Sequence, residues 1–232
     1  MKEKVVLVTG ANGGLGRFVT RAFLDAGATV IGTSRKIQQS DFSCDNFIAM
    51  PSDISSLAGA KALVEAIVVR FGTLNVLAHT VGGFAGGLPI ADTDDGTLQQ
   101  MLEVNVNSFF HILRASILAM RKTGNGRVIA IGSRAAVEPG AGVGAYSASK
   151  AAMVSLIKTV AAENRDVGLT ANVILPGTID TPANRQSSPD ADFSKWVRPA
   201  AIASLITWLA GDAGKEINGA AIPICGRLRN RQ

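Results

Sequence analysis

The sequence predicts an α/β protein whose single sheet is mostly parallel and covered by helices on both faces. Short runs rich in β-branched residues alternate with longer stretches of helical length, which is the pattern of repeated βαβ units. The strand-like runs are apolar throughout, as in Val5–Val8 and Val128–Ile131, and strands buried on both faces have this composition. A chain of 232 residues fits one doubly wound domain over 1–232.

Seven strands and five helices are predicted in order. Each strand is a β-branched run ended by Gly or polar residues, and each helix is long enough to connect two parallel strands. The predicted strands are Val5–Thr9, Thr29–Thr33, Asn46–Met50, Asn75–Thr80, Arg127–Gly132, Thr170–Leu175 and Ala220–Ile224. The predicted helices are Gly16–Ala26, Ser56–Phe71, Thr97–Arg121, Tyr146–Arg165 and Pro199–Ala210. The polar, Pro-rich segment 176–199 is predicted to be an irregular substrate loop or lid.

Composition and charge exclude several classes of protein. Hydrophobic residues make up 47% and charged residues 18%, which excludes disordered, collagen-like and coiled-coil chains. The net charge is +5, but Arg227, Arg229 and Arg231 supply three of these charges, so no nucleic-acid partner is expected. Cys44 and Cys225 lack metal-ligand spacing and are expected to be reduced thiols, with no metal site. No apolar stretch is long enough for a bilayer, and a cytoplasmic protein is expected.

A Gly-rich turn follows the first predicted strand. Glycines allow a sharp turn and a close approach of the backbone to a ligand, and the helix that follows offers free N–H groups to an anion. The turn predicts a site for the diphosphate of a dinucleotide, and a tight turn without a ligand is the alternative. The residues assigned to this site are Thr9, Gly10, Asn12, Gly14, Leu15 and Gly16.

The second predicted strand ends in Ser34 and Arg35, with no acidic residue before Asp41. A carboxylate at this place commonly binds the ribose hydroxyls of NAD, whereas a guanidinium with a nearby hydroxyl suits the 2′-phosphate of NADP. The sequence therefore favours NADP(H), with NAD(H) as the alternative cofactor. Arg35 and Lys36 as plain exposed charges are the other interpretation.

The only tyrosine of the chain, Tyr146, precedes Lys150 by four residues, a spacing that places both side chains on one helix face. An ammonium near the phenol is expected to lower the pKa of Tyr146 from about 10 towards 7, the range useful for proton transfer, with desolvation opposing this shift. Ser133 ends the preceding strand. A half-buried tyrosine beside a solvated lysine is the alternative.

Asn105 interrupts the apolar face of the predicted helix Thr97–Arg121. A buried amide must be hydrogen-bonded, so Asn105 is either satisfied within the core or part of the site. The apolar residues of this face are Leu98, Met101, Leu102, Phe109, Ile112, Leu113 and Met120.

Taken together, these motifs resemble those of the short-chain dehydrogenase/reductase family over essentially the whole chain. Thr9-Gly10-x-x-x-Gly14-x-Gly16 is similar to the cofactor motif of the family, Tyr146-x-x-x-Lys150 to its catalytic motif, and Ser133 to its catalytic serine. Further residues at positions that contact the cofactor in the family are Asp53, Ile54, Gly82, Pro176, Gly177 and Thr181.

The resemblance implies a Rossmann fold and a mechanism. Hydride would pass from the nicotinamide to a carbonyl carbon while Ser133 hydrogen-bonds the oxygen and Tyr146 donates its proton. Lys150 would stabilise the phenolate and hold the nicotinamide ribose, and Asn105 would connect Lys150 to solvent water. The family also implies a homotetramer or homodimer, formed through the helices at 97–121 and 146–165.

Two departures from the family pattern stand out. The family reads Asn-Asn-Ala-Gly after the fourth strand, where this chain has His79-Thr80-Val81-Gly82; His79 is interpreted as a structural histidine, with an acid, base or ligand role as the alternative. The segments 82–87 and 179–185, the latter together with residues 190–193 and Trp196, resemble dihydropteridine reductase more closely. They suggest three substrate-contacting residues, Phe84, Asn184 and Trp196.

The sequence predicts an NADP(H)-dependent oxidoreductase acting on a small-molecule carbonyl, alcohol or C=N compound. The alternatives are 3-oxoacyl-(acyl carrier protein) reductase activity and dihydropteridine reductase-like activity. Against the second stand Ser34 and Arg35, where that enzyme has an acidic residue, and Ser133, which it lacks. A protein that binds a dinucleotide as a sensor and catalyses no reaction would not need both Asn105 and the catalytic motif at these spacings.

Overall fold

The computed structural model describes residues 1–226, so Arg227, Arg229 and Arg231 lie outside the described residues. One seven-stranded sheet has the order β3-β2-β1-β4-β5-β6-β7, and each of its six strand pairings is parallel. This confirms the predicted fold class. The strands are β1 Val5–Thr9, β2 Thr29–Thr33, β3 Phe47–Ala49, β4 Val76–His79, β5 Arg127–Ile131, β6 Thr170–Pro176 and β7 Ala221–Ile224.

Helices cover both faces of this sheet. On one face, residues of α2, α4 and α5 pack against the strands, and on the other face α1 and α7 do so. Their bounds are α1 Gly16–Asp25, α2 Leu57–Phe71, α3 Asp95–Leu102, α4 Ser108–Thr123, α5 Gly144–Glu163, α6 Pro182–Ser187 and α7 Pro199–Ala210. Because the chain crosses in opposite directions from β1 and from β4, the carboxyl ends of these two strands form the switch point at which such sheets bind ligands.

The predicted helix Thr97–Arg121 differs from the observed one. The structure has α3, a π-helical turn at Glu103–Asn107 and then α4. The spacing of apolar residues does not distinguish a π-helical turn from an α-helical one when the buried face stays continuous. Such turns often lie at functional sites, and this one contains Asn105.

The segment 176–199 is more ordered than predicted. It contains α6 and a 3₁₀ turn at Phe193–Lys195. Thr181 caps α6 by accepting a hydrogen bond from the Asn184 N–H, and Pro182 stands at the first helical turn, where the missing N–H costs nothing. Within residues 1–226, none of the helices has the length and apolar character needed to span a membrane.

Candidate active site

The Gly-rich turn is fixed by contacts that leave no room for side chains. Gly10 has a φ of +70°, and a Cβ at Gly16 would collide with the Gly10 carbonyl oxygen. The Gly13 N–H donates to that same oxygen at 2.9 Å. A Cβ at Gly14 would lie 3.0 Å from the Cβ of Thr181, which brings the turn against the segment after β6. Two segments that were predicted separately to bind the cofactor, the Gly-rich turn and the segment that contains Thr181, are therefore in contact.

Two other residues assigned to this turn serve its packing. Leu15 is buried immediately before α1. The Asn12 amide donates to the Asp41 carboxylate at 3.3 Å, which ties the turn to the loop after β2.

A cavity of about 320 Å³ opens beside this turn, at the ends of β1, β2 and β4. Among the residues that line it are the predicted cofactor residues Gly10, Ser34, Arg35, Asp53 and Ile54. The N–H of Ser55 donates to Asp53 at 3.1 Å, and hydrogen bonds from Ser55, together with the charge of Arg35, hold the pKa of Asp53 below its usual value.

Seven other residues line this cavity and were not predicted from the sequence: Thr33, Ser52, Ser55, Val81, Glu103, Val104 and Ser108. Val104 belongs to the π-helical turn and Ser108 opens α4. Without the position of the π-helical turn, spacing alone could not place these side chains at the cavity.

Ser133 and Tyr146 lie together at the carboxyl end of β5. The Ser133 hydroxyl accepts a hydrogen bond from the Ala135 N–H at 3.2 Å and also lowers the pKa of Tyr146. Burial has the larger effect and leaves the pKa of Tyr146 above its ordinary value. The predicted fall towards 7 is therefore wrong for this structure, because the phenolate loses more by desolvation than it gains from its neighbours.

Lys150 is buried one turn after Tyr146. Its ammonium donates to the Ile131 carbonyl oxygen at 3.1 Å and lies 3.5 Å from the Met153 sulfur. Burial lowers the pKa of Lys150 to about 8. Lys150 is therefore mostly protonated at pH 7 and loses its proton slightly above that pH.

Asn105 is fully buried and joins α5 to the segment after β4. Its side-chain oxygen accepts from the Gly83 N–H at 2.9 Å, and its amide donates to the Gly83 carbonyl at 3.1 Å and to the Ser149 hydroxyl at 3.0 Å. A Cβ at Gly82 would lie 2.9 Å from the Lys150 nitrogen and 3.0 Å from the Asn105 oxygen. The structure therefore brings Gly82, Asn105 and Lys150 together at one point.

His79 is buried at the end of β4. Its Nδ1 lies 2.9 Å from the Thr9 hydroxyl, and its ring packs at 4.8 Å on Phe109. Burial, assisted by the charge of Lys150, lowers the pKa of His79 to about 3. The ring is therefore neutral at physiological pH and is unsuited to acid–base work there, in agreement with a structural role that links β1 to β4.

The three predicted substrate residues lie in different surroundings. The Phe84 ring meets the Tyr146 ring edge-on, with centroids 4.9 Å apart. The Asn184 amide instead donates to the Ile179 carbonyl at 2.8 Å, within its own loop. Trp196 packs on Phe193 and lines a cavity of about 730 Å³. Of the three, the structure brings only Phe84 into contact with the Tyr146 ring.

The segment after β6 completes the predicted cofactor residues. Pro176 ends β6, and the Gly177 N–H donates to the Ile224 carbonyl at 3.0 Å. Among residues 1–226, no group of three or more His, Cys, Asp or Glu side chains is placed to hold a metal ion.

Residues 4–192 match the family model described as short chain dehydrogenase. The chain belongs to this family. The 3-oxoacyl-[acyl-carrier-protein] reductase FabG of Salmonella typhimurium is 31% identical over 97% of each chain. The L-rhamnose-1-dehydrogenase of Scheffersomyces stipitis is 31% identical over 98% of this chain and 96% of that one. The solved structure of ElxO with NADP bound has a TM-score of 0.90 at 24% identity and covers 97% of each chain.

Membership of the short chain dehydrogenase family makes the protein an oxidoreductase. The two relatives differ in substrate, since one is named for an acyl thioester and the other for a sugar. The family therefore establishes the kind of reaction and does not establish the substrate.

Proposed function

We propose that the protein is an NADP(H)-dependent reductase of a carbonyl or C=N compound, with Tyr146 as proton donor. One observation carries the proposal: Lys150 donates to the Ile131 carbonyl at the end of β5 and Asn105 binds Gly83 after β4, at the same sheet edge as the Gly-rich turn that follows β1. The turn has no side chain at Gly10, Gly14 and Gly16 and is followed by the start of α1. These two features fit the binding of a diphosphate. When bound, the reduced nicotinamide supplies the hydride.

The side chains have separate tasks in this mechanism. The Ser133 hydroxyl holds the substrate oxygen, and Tyr146 donates its proton to that oxygen as the carbon receives hydride. The raised pKa of Tyr146 keeps the phenol protonated at neutral pH, as a donor requires. Lys150, with a pKa near 8, stabilises the developing phenolate and returns the proton to it. Asn105 holds Gly83 and thereby the position of Gly82 against Lys150.

A carbonyl panel with NADPH tests this function, and the panel includes β-ketoacyl thioesters and quinonoid dihydropterin. Tyr146→Phe removes the proton donor and is expected to lower kcat about 1,000-fold. The dissociation constant for NADPH, measured by fluorescence titration, should stay within about threefold as the control. Tight binding of NADPH without turnover on the panel, unchanged by the substitution, would favour a dinucleotide sensor.

The choice of NADP(H) rests on Arg35 and Ser34 at the rim of the 320 Å³ cavity. A guanidinium with a neighbouring hydroxyl suits a 2′-phosphate, and ElxO, a protein of the same fold, holds NADP. Arg35→Ala is expected to weaken NADPH about tenfold and NADH less than twofold, because the lost contact is charge-assisted. Equal losses for the two cofactors would overturn the assignment.

Two further features of the family are proposed for this chain. Self-association into a dimer or tetramer would cover α4, whose Phe110 and Leu118 are exposed in the single chain. A sedimentation mass equal to that of one chain would contradict it. A cytoplasmic location is supported by Cys44 and Cys225, both free thiols.

A further inference from the structure

Four large apolar side chains lie exposed on the two segments that flank Tyr146. Three of them, Phe84, Leu88 and Ile90, follow β4 and are 66%, 55% and 78% exposed. The fourth, Val137, follows Ser133 and is 55% exposed. We call these four residues the apolar mouth. They are four of the eleven large exposed hydrophobic side chains in residues 1–226, and a concentration of this kind commonly marks a ligand site.

Backbone contacts hold the first of these segments against the start of α5. The Gly87 N–H donates to the Gly142 carbonyl at 2.8 Å. A Cβ at Gly144, two residues before Tyr146, would lie 2.7 Å from a side-chain carbon of Ile90. Phe84 itself touches the Tyr146 ring. Phe84 and Ile90 of the apolar mouth therefore lie against Tyr146 and the start of α5.

The charges on the two segments that carry the apolar mouth do not favour a charged substrate. Residues 80–91 contain no charged side chain. In the segment between Ser133 and Tyr146 the charged residues are Arg134 and Glu138, which pair with each other at 3.5 Å. A carboxylate or phosphate next to the substrate carbonyl would find no free cation on either segment. The hydroxyl groups of a polyhydroxylated substrate would face the carbon atoms of these apolar side chains, which offer no hydrogen bonds.

We infer that the substrate carries an apolar group, an alkyl chain or an aromatic ring, attached to the carbonyl carbon and lying on the apolar mouth. This inference rests on the proposed function and narrows its substrate class. Hydrophobic ketones and aldehydes are accepted, whereas sugars and short keto acids are not. The apolar group displaces water from Phe84, Leu88, Ile90 and Val137 while the carbonyl oxygen faces Ser133 and Tyr146.

A homologous series of methyl ketones, from 2-butanone to 2-nonanone, tests the inference with NADPH as reductant. Each added methylene buried on the apolar mouth is expected to raise kcat/KM about two- to fourfold. Dihydroxyacetone and pyruvate are expected to be poor substrates. Phe84→Ser should flatten this dependence on chain length. Val69→Ser is the matched control, since Val69 is 86% exposed on α2, away from the site, and should leave the dependence unchanged.

Three results would overturn the inference. The first is a kcat/KM that does not rise with chain length, and the second is a preference for dihydroxyacetone or pyruvate. The third is a sedimentation mass that falls in Phe84→Ser while the chain-length dependence persists, because the apolar mouth would then be an interface between copies of this chain.

A binding measurement separates this inference from the proposed function. The same ketones are titrated into the protein–NADP⁺ complex, and their affinity is read by calorimetry, without turnover. Affinity that rises with chain length and falls in Phe84→Ser supports the apolar mouth even where no ketone is reduced, an outcome that would count against the proposed function alone. Affinity independent of chain length overturns the inference.

Discussion

The Gly-rich turn at 10–16 and the proposed catalytic corner, formed by Gly82, Asn105, Tyr146 and Lys150, are positioned by opposite means. The turn depends on missing side chains: a Cβ at Gly16 would strike the Gly10 carbonyl. The corner depends on polar side chains taken out of water, with Asn105 fully buried and Lys150 4% exposed. Backbone packing of the first kind stabilises the fold, whereas a buried ammonium costs stability. Substitutions in the turn should therefore change cofactor binding and the free energy of unfolding together. Substitutions in the corner should change function and the free energy of unfolding separately.

Lys150→Met is expected to produce the largest effect. It should lower kcat at least 1,000-fold, because the proposed mechanism uses the charge of Lys150 to stabilise the phenolate of Tyr146. The folded chain holds Lys150 at a pKa of about 8 against an ordinary 10.5, so at pH 7 the charged lysine costs about 3 kcal/mol. After the loss of its hydrogen bond to Ile131, the free energy of unfolding should rise by about 2 kcal/mol.

Urea unfolding at pH 7 and steady-state kinetics measure both changes in Lys150→Met. Lys150→Arg retains a charge and serves as the control, with no expected gain in stability. A less stable Lys150→Met protein would show that the lysine is held by interactions stronger than its desolvation cost.

Gly16→Ala should change binding and stability together. The new methyl group collides with the Gly10 carbonyl, which cannot move without opening the turn. Affinity for NADPH should fall about 100-fold, and the free energy of unfolding by about 1–3 kcal/mol. Gly140→Ala is the matched control, since a Cβ there meets nothing within 4 Å. Normal stability with weak binding in Gly16→Ala would contradict the link between the two.

His79→Asn should change only the pH dependence of stability. The pKa of His79 is about 3 in the folded chain against an ordinary 6.5, so below pH 6.5 the unfolded chain binds a proton that the folded chain does not. The contribution of His79 to the free energy of unfolding is therefore fully present above pH 6.5 and is lost as the pH falls towards 3. The loss is about 2 kcal/mol at pH 5. In His79→Asn the difference in the free energy of unfolding between pH 7 and pH 5 should be smaller by that amount.

Denaturant titrations at pH 7 and pH 5 check the effect of His79→Asn. An asparagine retains a polar group opposite the Thr9 hydroxyl, and His111→Asn controls for the loss of a histidine elsewhere. An unchanged pH dependence in His79→Asn would show that other groups cause the acid sensitivity.

The sequence predicted what depends on local pattern. Apolar runs gave each strand to within one residue at each end, and spacing alone placed Tyr146 and Lys150 on one helix face. The pKa of Tyr146 was predicted in the wrong direction because attraction to an ammonium can be derived from spacing, whereas the larger cost of desolvation depends on tertiary packing. The contact of Phe84 with Tyr146 and the place of Val104 in the cavity depend on packing between distant segments, which no local pattern contains.

The π-helical turn at 103–107 also constrains how the length of this chain can change. A regular helix advances about 100° per residue, so four residues overshoot a full turn by about 40°, and the eight steps from Met101 to Phe109 would overshoot by about 80°. The wider turn absorbs part of this drift, so Met101, Asn105 and Phe109 are all buried. A one-residue deletion here, even of the half-buried Val106, would rotate one end of the helix against the other. Insertions and deletions should therefore be excluded from this short stretch and tolerated in the exposed loops around it.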